Sequence, residues 1–279
     1  MQITDMCVEC LYGKEKTRTD DPGYLAEVRQ LLADRAAEDT SPYMVYRFEQ
    51  AYRRRFGAPE SSAPLRRSYN DFVLRMEPTL RARIAASCDP LAAALMMARI
   101  GNYIDFGAMD HVDTDTFLSM FRTAELREDD RPVYASFLRA CAAGRRFLLV
   151  CDNCGEIVLD RLFLERLQLR FPHLQLQAMV RGGEVLNDAT EEDAHYAGMD
   201  RTAQILSSGT AVGGTVYAML SDEARHALDA ADVILAKGQG NYETMSGQGR
   251  HAFYAFLCKC DLFTGRFGVP KLTGMLLEE

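Results

Sequence analysis

The chain has 279 residues, 48% of them hydrophobic and 26% charged, a balance that suits a soluble globular protein with a large core. A formal net charge of −8 argues against nucleic acid as the main partner, because phosphate-backbone binding needs a basic surface; Arg53-Arg54-Arg55 and Arg66-Arg67 read instead as solvated helix faces. No stretch approaches the roughly 18 consecutive apolar residues of a membrane span, and Met1-Gln-Ile-Thr-Asp5 has no secretory pattern, so a cytoplasmic protein is expected.

The first 144 residues read as helical, with segments near 24–37, 42–56, 68–87, 89–105, 114–124 and 131–143. Asp21-Pro22, Ser41-Pro42 and Asp89-Pro90 have the form of an N-cap followed by a first-turn proline. Residues 57–64 form the clearest loop, rich in proline and serine. After Gly144 strands alternate with helices: 147–151, 174–180, 202–207, 233–236 and a final 271–277. That alternation predicts a largely parallel α/β sheet with crossover helices, and a division into a helical part (1–144) and an α/β part (145–279).

Eight cysteines without a secretion signal read as reduced thiols. They include Cys7-x-x-Cys10, Cys151-x-x-Cys154 and Cys258-Lys-Cys260, so a zinc site or a redox couple has to be weighed.

Three loops after strands carry polar groups suited to a metal and a phosphate. Asp152-Asn153 follows the strand at 147–151, Arg181 to Asp188 follows the second, and Lys237-Gly-Gln-Gly-Asn241 follows the strand at 233–236. Two carboxylates and an amide oxygen make a half-shell for Mg²⁺ or Mn²⁺, leaving positions for water and a phosphate oxygen. A metal so held lowers the pKa of coordinated water and neutralises phosphoryl charge. Lys237 would supply a point charge. Each loop alone could be ordinary turn or cap chemistry, but all three sit at a strand end before a helix start and would converge on one rim. A dinucleotide fingerprint fails because Glu243 stands where its last glycine belongs. A phospho-aspartate mechanism of the haloacid-dehalogenase type would want a second aspartate where this chain has Cys154.

Asp152-Asn153-x-Gly155-Glu156, Arg181-Gly182…Asn187-Asp188-Ala189-Thr190 and Ala231-Asp232…Lys237-Gly238-x-Gly240-Asn241-x-Glu243, with Gly101-Asn-Tyr-Ile-Asp105 upstream, together resemble the damage-control phosphatase family. The likeness spans most of the chain, and three linked motifs in order are far more specific than any one. It implies a three-layer α/β/α fold with a largely parallel, Rossmann-like sheet and a helical N-terminal part. It also implies a phosphatase for small phosphorylated metabolites, dependent on a divalent cation such as Mn²⁺, Co²⁺, Ni²⁺ or Mg²⁺. By this resemblance Asp152, Asn153 and Asp188 are the metal ligands, Lys237 contacts phosphate, and Asn102, Asp105, Glu156, Arg181 and Asn241 line the pocket, with Asp105 or Glu156 positioning the attacking water. Cys7-x-x-Cys10 and Lys259-Cys260 resemble the microbial stand-alone branch, whereas Cys154 occupies a slot that the family fills with a small residue such as alanine. Two alternatives stand beside this: a thiol protein binding zinc or cycling a disulfide, and a carboxyl methyltransferase, for which no nucleoside loop is visible.

Overall fold

The computed structural model describes residues 2–103, 119, 121 and 125–279; Asp105 and most of the helix expected at 114–124 lie outside the described residues. Helices α1 (Asp5–Arg18), α2 (Pro22–Ala33), α3 (Ser41–Phe56), α4 (Ala63–Ala86), α5 (Pro90–Gly101) and α6 (Arg131–Ala143) precede the first strand. Then follow β1 (Arg146–Val150), α7 (Glu156–Arg170), β2 (Gln175–Val180), α8 (Glu191–Tyr196), β3 (Gln204–Ser207) and α9 (Asp222–Ala230). The chain ends with β4 (Val233–Lys237), α10 (Gln239–Met245), β5 (Phe253–Leu257), α11 (Asp261–Phe267) and β6 (Gly274–Glu278).

Two of the three expected helix starts carry the expected cap. Asp21 Oδ1 accepts from Tyr24 N at 2.7 Å, and Asp89 Oδ1 accepts from Leu91 N and Ala92 N at 3.1 Å, each beside a first-turn proline. At the third, Ser41 already lies in the helix and Thr40 takes the cap position without a side-chain bond. Two elements have no counterpart in the sequence expectations. α1 buries only Leu11 and Glu15, so it has no apolar stripe to read, and β5 is buried along its whole length and shows no alternation.

The sheet order is β3-β2-β1-β4-β5-β6, parallel throughout except that β6 pairs antiparallel with β5. Alternate residues of β1 serve different layers: Phe147 and Leu149 pack with α4 to α7, while Leu148 and Val150 pack with α9 to α11. The product is the expected α/β/α sandwich. On the first face Phe147, Phe163 and Phe253 surround Phe137 with ring centroids 5.3 to 6.2 Å apart, and each fully buried ring contributes about 2–3 kcal/mol.

The packing boundary does not fall at residue 144. Helices α4, α5 and α6 share one core with the sheet, and α5 is buried along nearly its whole length. Helices α1 to α3 enclose a small core of their own around Tyr24, Val28, Met44 and Phe48, and form a cap. Arg66, expected on a solvated face, is 2% exposed and pairs with Asp193 at 2.8 Å, tying α4 to α8. No helix among the described residues is long and apolar enough to cross a membrane.

Candidate metal and phosphate site

Strand order reverses between β1 and β4, and in an open parallel sheet the ligand crevice lies there, beyond the carboxyl ends of the strands. β1 leads directly into Asp152 and Asn153, and Gly155, at φ +77°, turns the chain into α7 while its amide donates to Asn70 Oδ1 at 2.6 Å. The loop after β2 is laced onto this turn. Ala189 N donates to Asp152 O at 2.8 Å, Cys154 N donates to Asn187 O at 2.9 Å, and Asn153 and Asp188 form an isolated bridge. Leu186 bends that loop at φ +48° with its side chain 53% exposed, a conformation that costs a non-glycine residue about 1–2 kcal/mol.

Asp152, Asn153 and Asp188 therefore converge on one cleft of about 170 Å³, whose walls also carry Glu243, Lys14 and Lys259. Arg181, itself buried, clamps the two aspartates: Nε donates to Asp188 Oδ2 at 2.6 Å and Nη2 to Asp152 Oδ1 at 3.3 Å. Burial raises the Asp152 carboxyl well above its ordinary range, and Asp188 and Glu156 push it further, against the pull of Arg181 and Lys259. Gly238 supplies the room this carboxylate needs. It sits at φ +80°, and a Cβ there would lie 1.9 Å from Asp152 Oδ2.

The donor set fits a hard cation. Among the described residues no three of His, Cys, Asp and Glu are grouped as a metal cage, so the candidate ligands are two carboxylates and one amide oxygen. Asn153 turns Nδ2 to Asp152 Oδ2 at 2.8 Å and to Glu156 Oε2 at 3.0 Å, which leaves its carbonyl oxygen as the ligand atom. An incomplete all-oxygen set suits Mg²⁺ or Mn²⁺ completed by water and phosphate oxygens.

The other described residues expected in the pocket, Lys237, Glu156, Asn102 and Asn241, lie beneath it. Lys237 is fully buried and donates to Glu156 Oε1 at 2.7 Å, Asp160 Oδ1 at 2.6 Å and Ala98 O at 2.9 Å, so all three of its protons point away from the cleft. Glu156 is equally buried, and its other oxygen accepts from Asn102 and Asn153. Asn102 Nδ2 also supports Asp152 Oδ2 at 2.9 Å while its Oδ1 accepts from Leu257 N. Asn241 Nδ2 holds Cys151 O at 3.1 Å and Lys237 O at 2.6 Å, and its Oδ1 accepts from Thr215 and Arg181. These four form a scaffold under the candidate ligands. The cationic side chains in the cleft wall are instead Lys14 and Lys259, and Lys259 acts electrostatically on Asp152. The sequence marked Lys259 only as half of a Lys-Cys pair, and Lys14 by nothing.

The thiols separate into two groups. Cys151, Cys154 and Cys258 are buried, and burial pushes the Cys258 thiol up to about 11. Cys7, Cys10 and Cys260 line a second cavity of about 280 Å³ next to the cleft. The six-thiol assembly considered from sequence is thus split between core and surface. A larger cavity of about 420 Å³, lined by Glu38, Asp39, Tyr43, Tyr217 and Arg250 among others, contains none of the converging ligands.

Comparison with known proteins bears on the family and the fold. Residues 2–273 match the model of the damage-control phosphatase ARMT1-like domain. A protein of Archaeoglobus fulgidus described as a damage-control phosphatase is 28% identical over 280 residues, 96% of each chain. A damage-control phosphatase of Pyrococcus horikoshii is 30% identical over 181 residues, 64% of this chain and 61% of its own. The crystal structure of a DUF89 family protein from Pyrococcus horikoshii shares the fold, with a TM-score of 0.78 at 22% identity, covering 100% of this chain and 99% of that one. With the motifs, the sandwich and the family match in agreement, the chain is a member of the damage-control phosphatase family.

Proposed function

We propose that this chain is a divalent-metal-dependent phosphomonoesterase acting on small phosphorylated metabolites, sugar or cofactor phosphates, damaged ones included. One observation carries the proposal: Asp152, Asn153 and Asp188, from loops 35 residues apart, meet in a cleft that also holds Lys14 and Lys259. When bound, a divalent cation lowers the pKa of coordinated water and neutralises charge on the phosphoryl oxygens. The protein does the rest. Asp152, Asn153 and Asp188 present the ligand oxygens, and Arg181 fixes both carboxylates so that little reorganisation remains on binding. Lys259 draws the phosphate to the carboxylate side of the cleft. Glu243, in the wall and raised by burial, can hold a proton for the leaving oxygen. The relatives described as damage-control phosphatases support the reaction class.

The test is phosphate release from a panel of sugar, cofactor and aryl phosphates with Mn²⁺, Co²⁺, Ni²⁺ or Mg²⁺, before and after chelation. Asp152→Ala is expected to abolish release while the circular dichroism spectrum stays that of the parent. No release from any substrate with any of the metals, or full turnover by Asp152→Ala, would sink the proposal.

A further inference from the structure

Three of the eight cysteines stand around one cavity and on two separately packed bodies. Cys7 and Cys10 belong to α1, part of the cap with its own small core, and Cys260 follows β5 at the start of α11 in the sandwich. The cavity of about 280 Å³ shares Leu11, Lys14, Gln239, Glu243, Lys259 and Cys260 with the wall of the acidic cleft. Lys259 and Glu243 thus stand in the walls of both. Of the two helical thiols, Cys7 Sγ is engaged with Thr4 Oγ1 at 3.4 Å, whereas Cys10 is exposed. Cys260 is partly buried, with Gln239 Nε2 donating to its sulfur at 3.4 Å. Lys271 lines the same cavity as both Cys10 and Cys260.

We propose that Cys10 and Cys260 form a reversible disulfide that pins the cap to the sandwich and narrows the cleft. The exposed Cys10 thiolate attacks a low-molecular-weight disulfide, forming a mixed disulfide and expelling one small thiolate. The Cys260 thiolate then attacks the Cys10 sulfur, forming the protein disulfide and expelling the second. Two protein thiols are oxidised, one small disulfide is reduced to two thiols, and the two protein protons pass to the leaving thiolates. Both cysteines are free and line one cavity in this structure, and a disulfide holds its Cα atoms within about 7 Å, so joining them fixes α1 to the loop after β5. The covalent step is independent of the reaction proposed above; only its effect on turnover rests on that reading.

The experiment treats the purified, reduced full chain with oxidised glutathione and maps its peptides by mass spectrometry without reduction. A linked peptide containing Cys10 and Cys260 is expected, lost in Cys10→Ser and in Cys260→Ser and reversed by a thiol reductant. Turnover of the oxidised form relative to the reduced form should drop about tenfold in the parent and stay near unity in Cys10→Ser, each protein being compared with itself. Glutathione adducts without a Cys10–Cys260 link, a link only through exposed Cys88, or stoichiometric zinc on the reduced protein that is lost in Cys10→Ser would each overturn the proposal. Absence of the linked peptide overturns it whether or not the protein releases phosphate.

Discussion

Lys237→Met separates two roles for the lysine of the third motif. In the structure its ammonium sits with no exposure between Glu156 and Asp160, both also fully buried, and gives its third proton to Ala98 O. Removing one partner from a buried ion pair costs about 3–5 kcal/mol, because the charge left behind is desolvated and unpaired. Here two carboxylates are left, so at least one must take up a proton, and the upper part of that range is expected. Burial already raises the Asp160 carboxyl, with Lys237 as the main opposing influence, so losing Lys237 raises it further. A carboxyl whose folded pKa exceeds its unfolded value contributes stability below the unfolded value and loses it as pH rises through the folded one. The deficit of Lys237→Met should accordingly be larger near about pH 8 than near about pH 5. Urea unfolding followed by circular dichroism at both pH values measures it, with kcat and KM determined at a temperature where the variant is folded. The reasoning is refuted if the variant is as stable as the parent at both pH values while KM rises manyfold, which is what a phosphate-contacting lysine would give.

Two further substitutions test the site itself. Gly238→Ala places a methyl group 1.9 Å from Asp152 Oδ2 on a backbone at φ +80°, and should cost about 1–3 kcal/mol in thermal unfolding and about a hundredfold in kcat/KM through the displaced carboxylate; a variant with parental kinetics would show that Asp152 need not stand where it does. Lys259→Ala should raise KM for phosphomonoesters about tenfold, near 1.4 kcal/mol, with kcat changed less and Tm within about two degrees; an unchanged KM would remove Lys259 from phosphate binding.

The convergence of Asp152, Asn153 and Asp188, the candidate ligands, was legible because each is a carboxylate or amide in a loop that follows a strand end, where an open parallel sheet gathers its loops. The direction of Lys237 was less plain, although its signal was present. Val233 and Leu235 of β4 face the layer of α4 to α7, Ile234 and Ala236 face the opposite layer, and the same period of two sends Lys237 with the first pair. Glu156 and Asp160, four apart and hence on one face of α7, are the carboxylates waiting there. The motifs named Lys237 and Glu156 without their orientation, and did not mark Asp160. Lys259 and Lys14 escaped for another reason: they reach the cleft from α11's approach and from the cap, and no local pattern announces a contact made by tertiary packing. β5 was hidden by burial on both faces, and α1 by its polarity on all of them.

The bonds under the cleft also bear on the order in which the protein assembles. Asn241 reaches Cys151 across 90 positions of the chain, Lys237 reaches Ala98 across 139, and Asn102 meets Leu257 across 155. Such closures carry a heavy entropic cost until neighbouring strands are already in register, so they form late. A partly folded chain with β1 and β2 paired but β4 undocked would hold Asp152 and Asp188 near each other without Asn241, Gly238 or Lys237 to set them. If the proposed cation site is right, tight metal binding would mark the last step of folding, and a refolding experiment that follows metal uptake would lag behind one that follows helix formation.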